Sequence, residues 1–585
     1  MSFKMKKKSF ALVCVLLLFV NTTGQTDKEL FKSSVGVEDI PGFTITKSAG
    51  CDSNYIFLAT TTTAVTPYIM IINNNGEPLF ARQAKGGVYD FKPQPNGMLS
   101  YYDFKSDCYF ILDKDYNLID SLQCLNGVET DIHELRILSN GNYLILGYDS
   151  HTVDMSKIVE GGNTSAIIIG YVLQEMDKNK NLVFEWRTWD HFDITDSYSD
   201  LKQGTIDVSH GNSIDIDFDG NFLVSFRNTQ EVTKINRVTG EIMWRLGGKK
   251  NRFEFINDTL GFSWQHAARR LQNGNIMLFD NGFKREPSVM AFSRALEYKI
   301  DENNFTAELV WQYRNKPDIY SIGLGYSQKL PNNNTFIAWG AAIPAITEVT
   351  ESGNEVFELS FKGNYFTYRA YRFPWGVKQI ENGTPVYSRA DKCNFKLENN
   401  NDTISVNISL VNPNTFPAVI TSVTNKERLF YIPYEFPASI GANDSLSFRV
   451  YFRPDLSGSY IDTLKIVTNI NNIYIPLIGE EVTNNVNQNN FRKEDFKLYQ
   501  SYPNPFNMGN KIEFRLSQRS FVKLQVFDVL GKMVSELVNE EKETGLHSVL
   551  FSGINNSGSV LPSGIYFYSL NVNGRVQSKK MILEK

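Results

Sequence analysis

Leu138-Ser-Asn-Gly-Asn142 and Leu271-Gln-Asn-Gly-Asn275 are one tight turn written twice, and the chain writes it three times more: Gln94-Pro-Asn-Gly97, Phe218-Asp-Gly-Asn221 and Leu330-Pro-Asn-Asn-Asn334. Asn-Gly and Asp-Gly pairs tolerate the positive φ that a tight hairpin needs. An apolar strand follows the turn, as in Tyr143-Leu-Ile-Leu146, Phe222-Leu-Val-Ser-Phe226 and Ile276-Met-Leu-Phe279. A second polar turn then leads into an aromatic strand, as in Val238-Thr-Gly-Glu-Ile-Met-Trp244 and Asn303-Asn-Phe-Thr-Ala-Glu-Leu-Val-Trp311. Two hairpins per unit give the four strands of a propeller blade. Six units fit between about residues 54 and 373, so an all-β chain opening with a six-bladed β-propeller over 25–385 is expected. Residues before Asn54 are expected to supply the strand that closes the ring, since closure removes exposed sheet edges.

The repeat gives the histidines a meaning. His133 and His266 each lie eight residues before their own turn glycine, Gly141 and Gly274, and His210 lies ten before Gly220. Inner strands of a propeller bring equivalent positions to one mouth of the axial channel. Round the ring those positions fall near Tyr89, His133, His210, His266 and Gly325. A lone histidine is ordinarily a surface or satisfied core residue, which is the reading for His151, His191 and His547. Three at matched positions read as a functional cluster, against a structural hydrogen-bonded ring. Arg227, in Ser225-Phe-Arg-Asn228, would add a planar fork of donors suited to sulfate or phosphate. Insertions at 148–165 and 188–208 are placed to shape the mouth of the site.

At 585 residues the chain is too long for one core. With 28 Tyr, 41 Phe and 40 Gly it favours strands and tight turns. The net charge of -5 argues against nucleic acid as a partner. Lys4, Lys6, Lys7 and Lys8 followed by an apolar run to Val20 read as a signal peptide over 1–24, too short a run to span a bilayer. Export makes disulfides possible for Cys51, Cys108, Cys124 and Cys393. Cys108 and Cys124 are symmetric about a turn near Asp115-Tyr116, so a bond across that hairpin is expected, and Cys51 with Cys393 is a guess. No close-spaced pair resembles a zinc site.

From 391 to 482 strands alternate without the repeat, as in Asp444-Ser-Leu-Ser-Phe-Arg-Val-Tyr-Phe452, which predicts a β-sandwich. Phe452-Arg-Pro-Asp455, Gly458 and Ile475-Pro-Leu-Ile-Gly479 resemble the immunoglobulin-like modules of Hydin-type proteins. An Asn-rich linker over 483–495 precedes a tail at 496–585. Leu498-Tyr-Gln-Ser-Tyr-Pro-Asn-Pro-Phe-Asn507 and Ser563-Gly-Ile-Tyr-Phe-Tyr568 make that tail resemble the C-terminal sorting domain of the type IX secretion system. The resemblance implies handling by that machinery, export through both membranes, and release or surface attachment.

Asp131-Ile-His-Glu-Leu135, Ser209-His-Gly-Asn-Ser-Ile214, Ile242-Met-Trp-Arg-Leu-Gly-Gly248, Trp264-Gln-His-Ala267 and Leu278-Phe-Asp-Asn-Gly282 resemble the arylsulfotransferase family. Its members are six-bladed propellers that move a sulfuryl group between phenols without the nucleotide donor PAPS. The resemblance implies that His266 is the residue transiently sulfated, with His210, Arg227 and His133 as its partners. It also implies a phenolic sulfate donor, a phenolic acceptor, and no metal or organic cofactor. Trp264, Tyr89, Tyr326 and Phe283 are candidates for the aromatic wall that phenols require, although such residues are more often core. Two other readings stand beside this one: a non-catalytic surface propeller that binds anionic or sulfated ligands, and a hydrolase that passes the sulfuryl group to water. Phosphoryl transfer is disfavoured, because no phosphate-cradling glycine loop or Mg²⁺ carboxylate set is present.

Overall fold

The computed structural model describes residues 40–61, 66–283, 291–397, 403–454, 459–481, 496–501, 504, 506, 507 and 509–584. The signal segment 1–24 and the linker 483–495 lie outside these residues. Among the described residues the regular structure is strand throughout, apart from short 3₁₀ turns, and no helix is long and apolar enough to cross a membrane.

Residues 43–373 form six sheets. From the axis outward the first is Phe366–Phe373, Tyr55–Thr61, Tyr68–Ile72 and Pro78–Gln83. The second is Val88–Pro93, Leu99–Asp103, Cys108–Leu112 and Leu118–Leu122, and the third Glu129–Ile137, Tyr143–Val153, Ala166–Met176 and Leu182–Arg187. The fourth is Gly211–Ile216, Phe222–Phe226, Glu231–Ile235 and Ile242–Gly247, and the fifth His266–Arg270, Ile276–Asp280, Arg294–Asp301 and Thr306–Tyr313. The sixth is Tyr326–Lys329, Thr335–Ala338, Ile346–Val349 and Glu355–Phe361. Each sheet packs on the next and the sixth packs on the first, so the ring is closed. Strands such as Phe222–Phe226 and Ile276–Asp280 are buried along their whole length. Flanked by a sheet on each face, they read as continuous apolar runs rather than as alternation.

Closure differs from the expectation. Phe43–Lys47 pairs with the outer strand of the sixth sheet, Phe43 opposite Phe361 and Lys47 opposite Phe357. The ring is closed instead by Phe366–Phe373, which crosses from the sixth sheet to become the inner strand of the first, with Tyr55 opposite Phe373. By residue 361 the sixth sheet already has four strands, so the next run is free to bridge the gap, and the N-terminal strand covers an outer edge.

The turn glycines behave as their sequence requires: Gly97, Gly141, Gly220 and Gly274 have φ of 82, 83, 79 and 90°. The first insertion lengthens the connection between the two hairpins of the third sheet, from Tyr143–Val153 to Ala166–Met176. The second ends in Thr205–Asp207, a short strand parallel to Ile167–Ile169.

All four described cysteines are free thiols. The Cys108–Cys124 bond fails on register. Tyr109 lies opposite Leu122, so Cys108 faces the position of Gln123, and Cys124 belongs to the other face of the hairpin. A register break between Ile111 and Leu112 displaces the apparent symmetry. Cys124 donates from Sγ to the Leu146 carbonyl at 3.2 Å, and Cys393 is a buried thiol on the strand Cys393–Leu397.

The chain divides into two compact units, one of residues 1–391, 407–450 and 463–475 and one of 392–406, 451–462 and 476–585. Within the first, residues 421–435 lie against the ring's turns. Val423 N donates to Pro95 O at 2.8 Å, Asn425 N to Ser139 O at 3.0 Å and Tyr431 Oη to Phe218 O at 2.8 Å. The second holds the tail, where Phe514, Leu524, Val526 and Tyr568 share one core between a three-stranded and a four-stranded sheet.

Candidate active site

Five of the six inner strands break register within a few residues of the mouth. The breaks fall at Asp90 and Phe91, 131–134, Asn212, Ala267 and Ala268, and Tyr368 and Arg369. A bulge turns side chains that an ideal strand would point sideways. Asp90, His210 and Ala267 accordingly have φ of 52, 54 and 58°.

The bulges bring His133, His210 and His266 together, one ring nitrogen of each lying within 4.8 Å of the others. The His133 ring meets His210 edge-on at 4.8 Å and lies 6.4 Å from His266. His133 and His266 are 3% and 0% exposed. Each Nδ1 has an acceptor: both Asp131 oxygens for His133 at 2.9 Å, Asp207 Oδ2 for His210 at 2.5 Å, and Asn281 Oδ1 for His266 at 2.7 Å. Asn281 Nδ2 donates to the Ser321 and Leu324 carbonyls at 2.9 Å, which fixes its oxygen toward the ring. His266 must therefore carry its proton on Nδ1, leaving a lone pair on Nε2. Nε2 of His266 and Nε2 of His210 are buried without a hydrogen-bond partner among the described residues.

Burial, then the charges of Arg227 and His133, hold the His266 and His210 imidazoles well below their ordinary pKa, so both are neutral at pH 7. Burial pushes the Asp207 carboxyl up to about 6, against the pull of Arg227 and His133.

Arg227 closes the second strand of the fourth sheet, and its N–H donates to the His210 carbonyl at 2.9 Å. Cross-strand pairing thus returns it to the mouth. Its guanidinium lies 4.5 Å over the Trp264 ring and donates from Nε to Asn228 Oδ1 at 2.9 Å. Among the described residues it forms no ion pair with a carboxylate, although it is 6% exposed. A buried guanidinium of that kind favours an anion. The three imidazoles offer the nitrogen donors of a transition-metal site, but the cationic Arg227 beside them opposes a cation. Asp217, Asp219 and Glu302 also converge, but Lys234 Nζ already pairs with all three at 2.8, 2.7 and 2.8 Å, and Arg270 pairs with Asp217 and Glu302.

Trp264 and Phe283 meet edge-on at 4.5 Å on one side of the cluster. Tyr89 stands 5.1 Å from Tyr368, which itself lies 5.5 Å from His133. Tyr326 is not with them: it is fully buried, 4.7 Å from Tyr371 and 5.8 Å from the guanidinium groups of Arg269 and Arg369. Sequence reasoning did not single out Asp131, Asp207, Asn281 or Tyr368. Asp131 and Asn281 stand inside motifs already quoted. Tyr368 occupies the first sheet's equivalent of the histidine positions, but its strand comes from the far end of the ring.

The all-β ring thus gathers three imidazoles, two of them neutral, and a buried guanidinium at one mouth. The chain belongs to the arylsulfotransferase family, whose model matches residues 44–372, more than half of its length. Residues 500–584 match a secretion-system C-terminal sorting domain, so the chain is exported by type IX secretion to a secreted or cell-surface location. Among curated proteins it is similar to the arylsulfate sulfotransferases AssT of Escherichia coli O6:H1 (31% identical) and Lelliottia amnigena (32%). Each match runs over 136 residues and spans 20% of this chain and 23% of the relative. A solved protein of unknown function from Bacteroides caccae is 15% identical with a TM-score of 0.34, covering 55% of this chain and 98% of its own. That likeness is too remote to bear on chemistry.

Proposed function

We propose that this chain transfers a sulfuryl group from an aryl sulfate to a phenol through a covalent intermediate on His266. The supporting observation is the unpartnered, neutral Nε2 of His266, oriented by Asn281 and converging with two carboxylate-backed imidazoles beside Arg227. In the first half-reaction the Nε2 lone pair attacks sulfur, the N–S bond forms and the S–O bond to the aryl group breaks. The phenolate departs with the S–O electron pair and takes its proton from water, because the neutral His210 offers only a lone pair at Nε2. Arg227 holds the non-bridging oxygens as charge shifts. In the second half-reaction the acceptor phenol gives its proton to Nε2 of His210 or His133, whose Nδ1–H is held by Asp207 or Asp131, and attacks sulfur as the N–S bond breaks; the imidazolium then returns that proton to water. Trp264 and Tyr89 supply faces for the aryl ring, and Tyr326 serves the core instead.

Intact mass spectrometry of the protein mixed with p-nitrophenyl sulfate at neutral pH tests this. The expected result is a gain of one SO₃ with nitrophenol release, both absent in His266→Asn. No adduct from a panel of aryl sulfates sinks the covalent reading and leaves a binding propeller. Turnover without an acceptor phenol would make the chain a hydrolase.

A further inference from the structure

Directly beneath the histidines one carboxylate touches almost every sheet. Glu134, next to His133 in the third sheet, is 1% exposed. It accepts from Lys92 Nζ of the second sheet at 2.8 Å and from the Ile214 N–H of the fourth at 3.1 Å. It accepts from Arg269 Nη2 of the fifth at 2.6 and 2.8 Å, and pairs with Arg369 Nη1 of the first at 3.4 Å. The sixth sheet joins through Tyr326, whose ring lies 5.8 Å from each of the two guanidinium groups. Burial opposes its ionisation, but Arg269, Lys92 and Arg369 hold the Glu134 carboxyl well below the usual range.

The partners are not scattered along their strands. Lys92 is three residues after Tyr89, Ile214 four after His210, Arg269 three after His266 and Arg369 one after Tyr368. In the first, second, third and fifth sheets a register break lies between the site residue and the tied residue or at one of them. In the fourth sheet Asn212 makes the break between His210 and Ile214. Bulges are locally irregular, so the ladder alone does not fix how far each site residue reaches toward the axis. A charged group bonded to every neighbouring strand does fix it, because moving any strand would strand a buried charge.

We infer that Glu134 is the positioning residue of this site, the axial anchor that sets the separation of the three histidines. This rests on the sulfuryl-transfer reading only for its kinetic consequence. The geometry stands without it.

The test uses the full chain carrying Glu134→Gln, an isosteric change, with Glu302→Gln as the control for loss of a partly exposed ion pair elsewhere in the ring. Two readouts are taken well below each variant's melting temperature. In ¹⁵N-histidine-labelled protein, Glu134→Gln is expected to shift or broaden the His133, His210 and His266 ring signals while those of His151, His191 and His547 stay put. Single-turnover labelling of His266 by saturating p-nitrophenyl sulfate is expected to slow by roughly tenfold to a hundredfold, the cost of small misplacement of reacting groups. Glu302→Gln should change neither. Unchanged histidine signals in Glu134→Gln overturn the inference, and so does an unchanged labelling rate where the parent chain is labelled. If the parent chain forms no adduct, the sulfuryl-transfer reading has failed and the NMR arm alone decides on Glu134. Should Glu134→Gln not fold, Lys92→Met removes one arm of the anchor and must move the same signals to a smaller extent.

Discussion

The two carboxylate-backed imidazoles are not equivalent to the one held by an amide. Asn281 can only accept from the His266 ring, so it fixes a tautomer and favours protonation only weakly, and burial outweighs it and keeps that ring neutral through the physiological range. Asp207 does more, because an ionised carboxylate also stabilises the imidazolium that forms when His210 takes a proton. Its raised pKa, about 6, sets a limit. Above pH 6 the carboxylate is charged and available; as pH falls through 6 it takes up a proton and its support for the imidazolium is lost. An acid limb near pH 6 is therefore expected in kcat/KM for the acceptor phenol, and it belongs to the Asp207–His210 pair rather than to His266. Asp207→Asn should lower kcat/KM by roughly a hundredfold, the usual scale of acid–base catalysis, and leave the remaining rate flat between pH 5 and 7. An acid limb that survives in Asp207→Asn would assign the titration to another group.

At the scale of elements, the inner strands carry the design, and they were only partly legible. The Asn-Gly turns declared themselves because positive φ selects glycine, and from their spacing the strands, the ring and His133, His210 and His266 could be placed. The bulges left no such mark: Asp90, His210, Trp264 and Ala267 sit at φ of 52 to 58° without being glycine. Asp207 was hidden in an insertion, Tyr368 in a strand that changes sheets, and the expected cysteine bond was defeated by a one-residue register break. One glycine at the sixth inner strand makes a testable case. Gly325 has φ of 104°, and a Cβ there would meet two Phe279 ring atoms at 2.5 Å. Gly325→Ala is expected to cost roughly 2–4 kcal/mol of unfolding free energy, from left-handed backbone strain plus overpacking. Gly323, two residues earlier, has nothing within 4 Å of the same added atom and no such backbone, so Gly323→Ala should stay within about 0.5 kcal/mol in urea titrations. Similar costs at both sites would mean that the packing of Phe279 against Gly325 is looser than the geometry states.

The turns that reveal the repeat have a second use in the whole molecule, because residues 421–435 rest on them. That segment lies in the same compact unit as the ring, so part of the 391–482 region acts as a floor for it. Gly220 and Gly274 isolate this contact. Both are turn glycines, with φ of 79 and 90°. A Cβ on Gly274 would have only a Phe218 atom at 4.0 Å, whereas one on Gly220 would press on three Tyr431 ring and hydroxyl atoms at 3.0, 3.0 and 3.1 Å. Tyr431 cannot simply swing aside without giving up its 2.8 Å hydrogen bond to the Phe218 carbonyl. Alanine at either site carries the backbone strain, about 1–2 kcal/mol. Only Gly220→Ala should carry a further cost of about 1 kcal/mol or more for displacing the docked tyrosine. Because the excess depends on one partner, a double-mutant cycle reads it directly: in a Tyr431→Ala background the two alanine substitutions should become equal. Equal costs in the parent chain would show that the floor is not seated on the ring in solution, and that the unit boundary belongs near residue 391 after all.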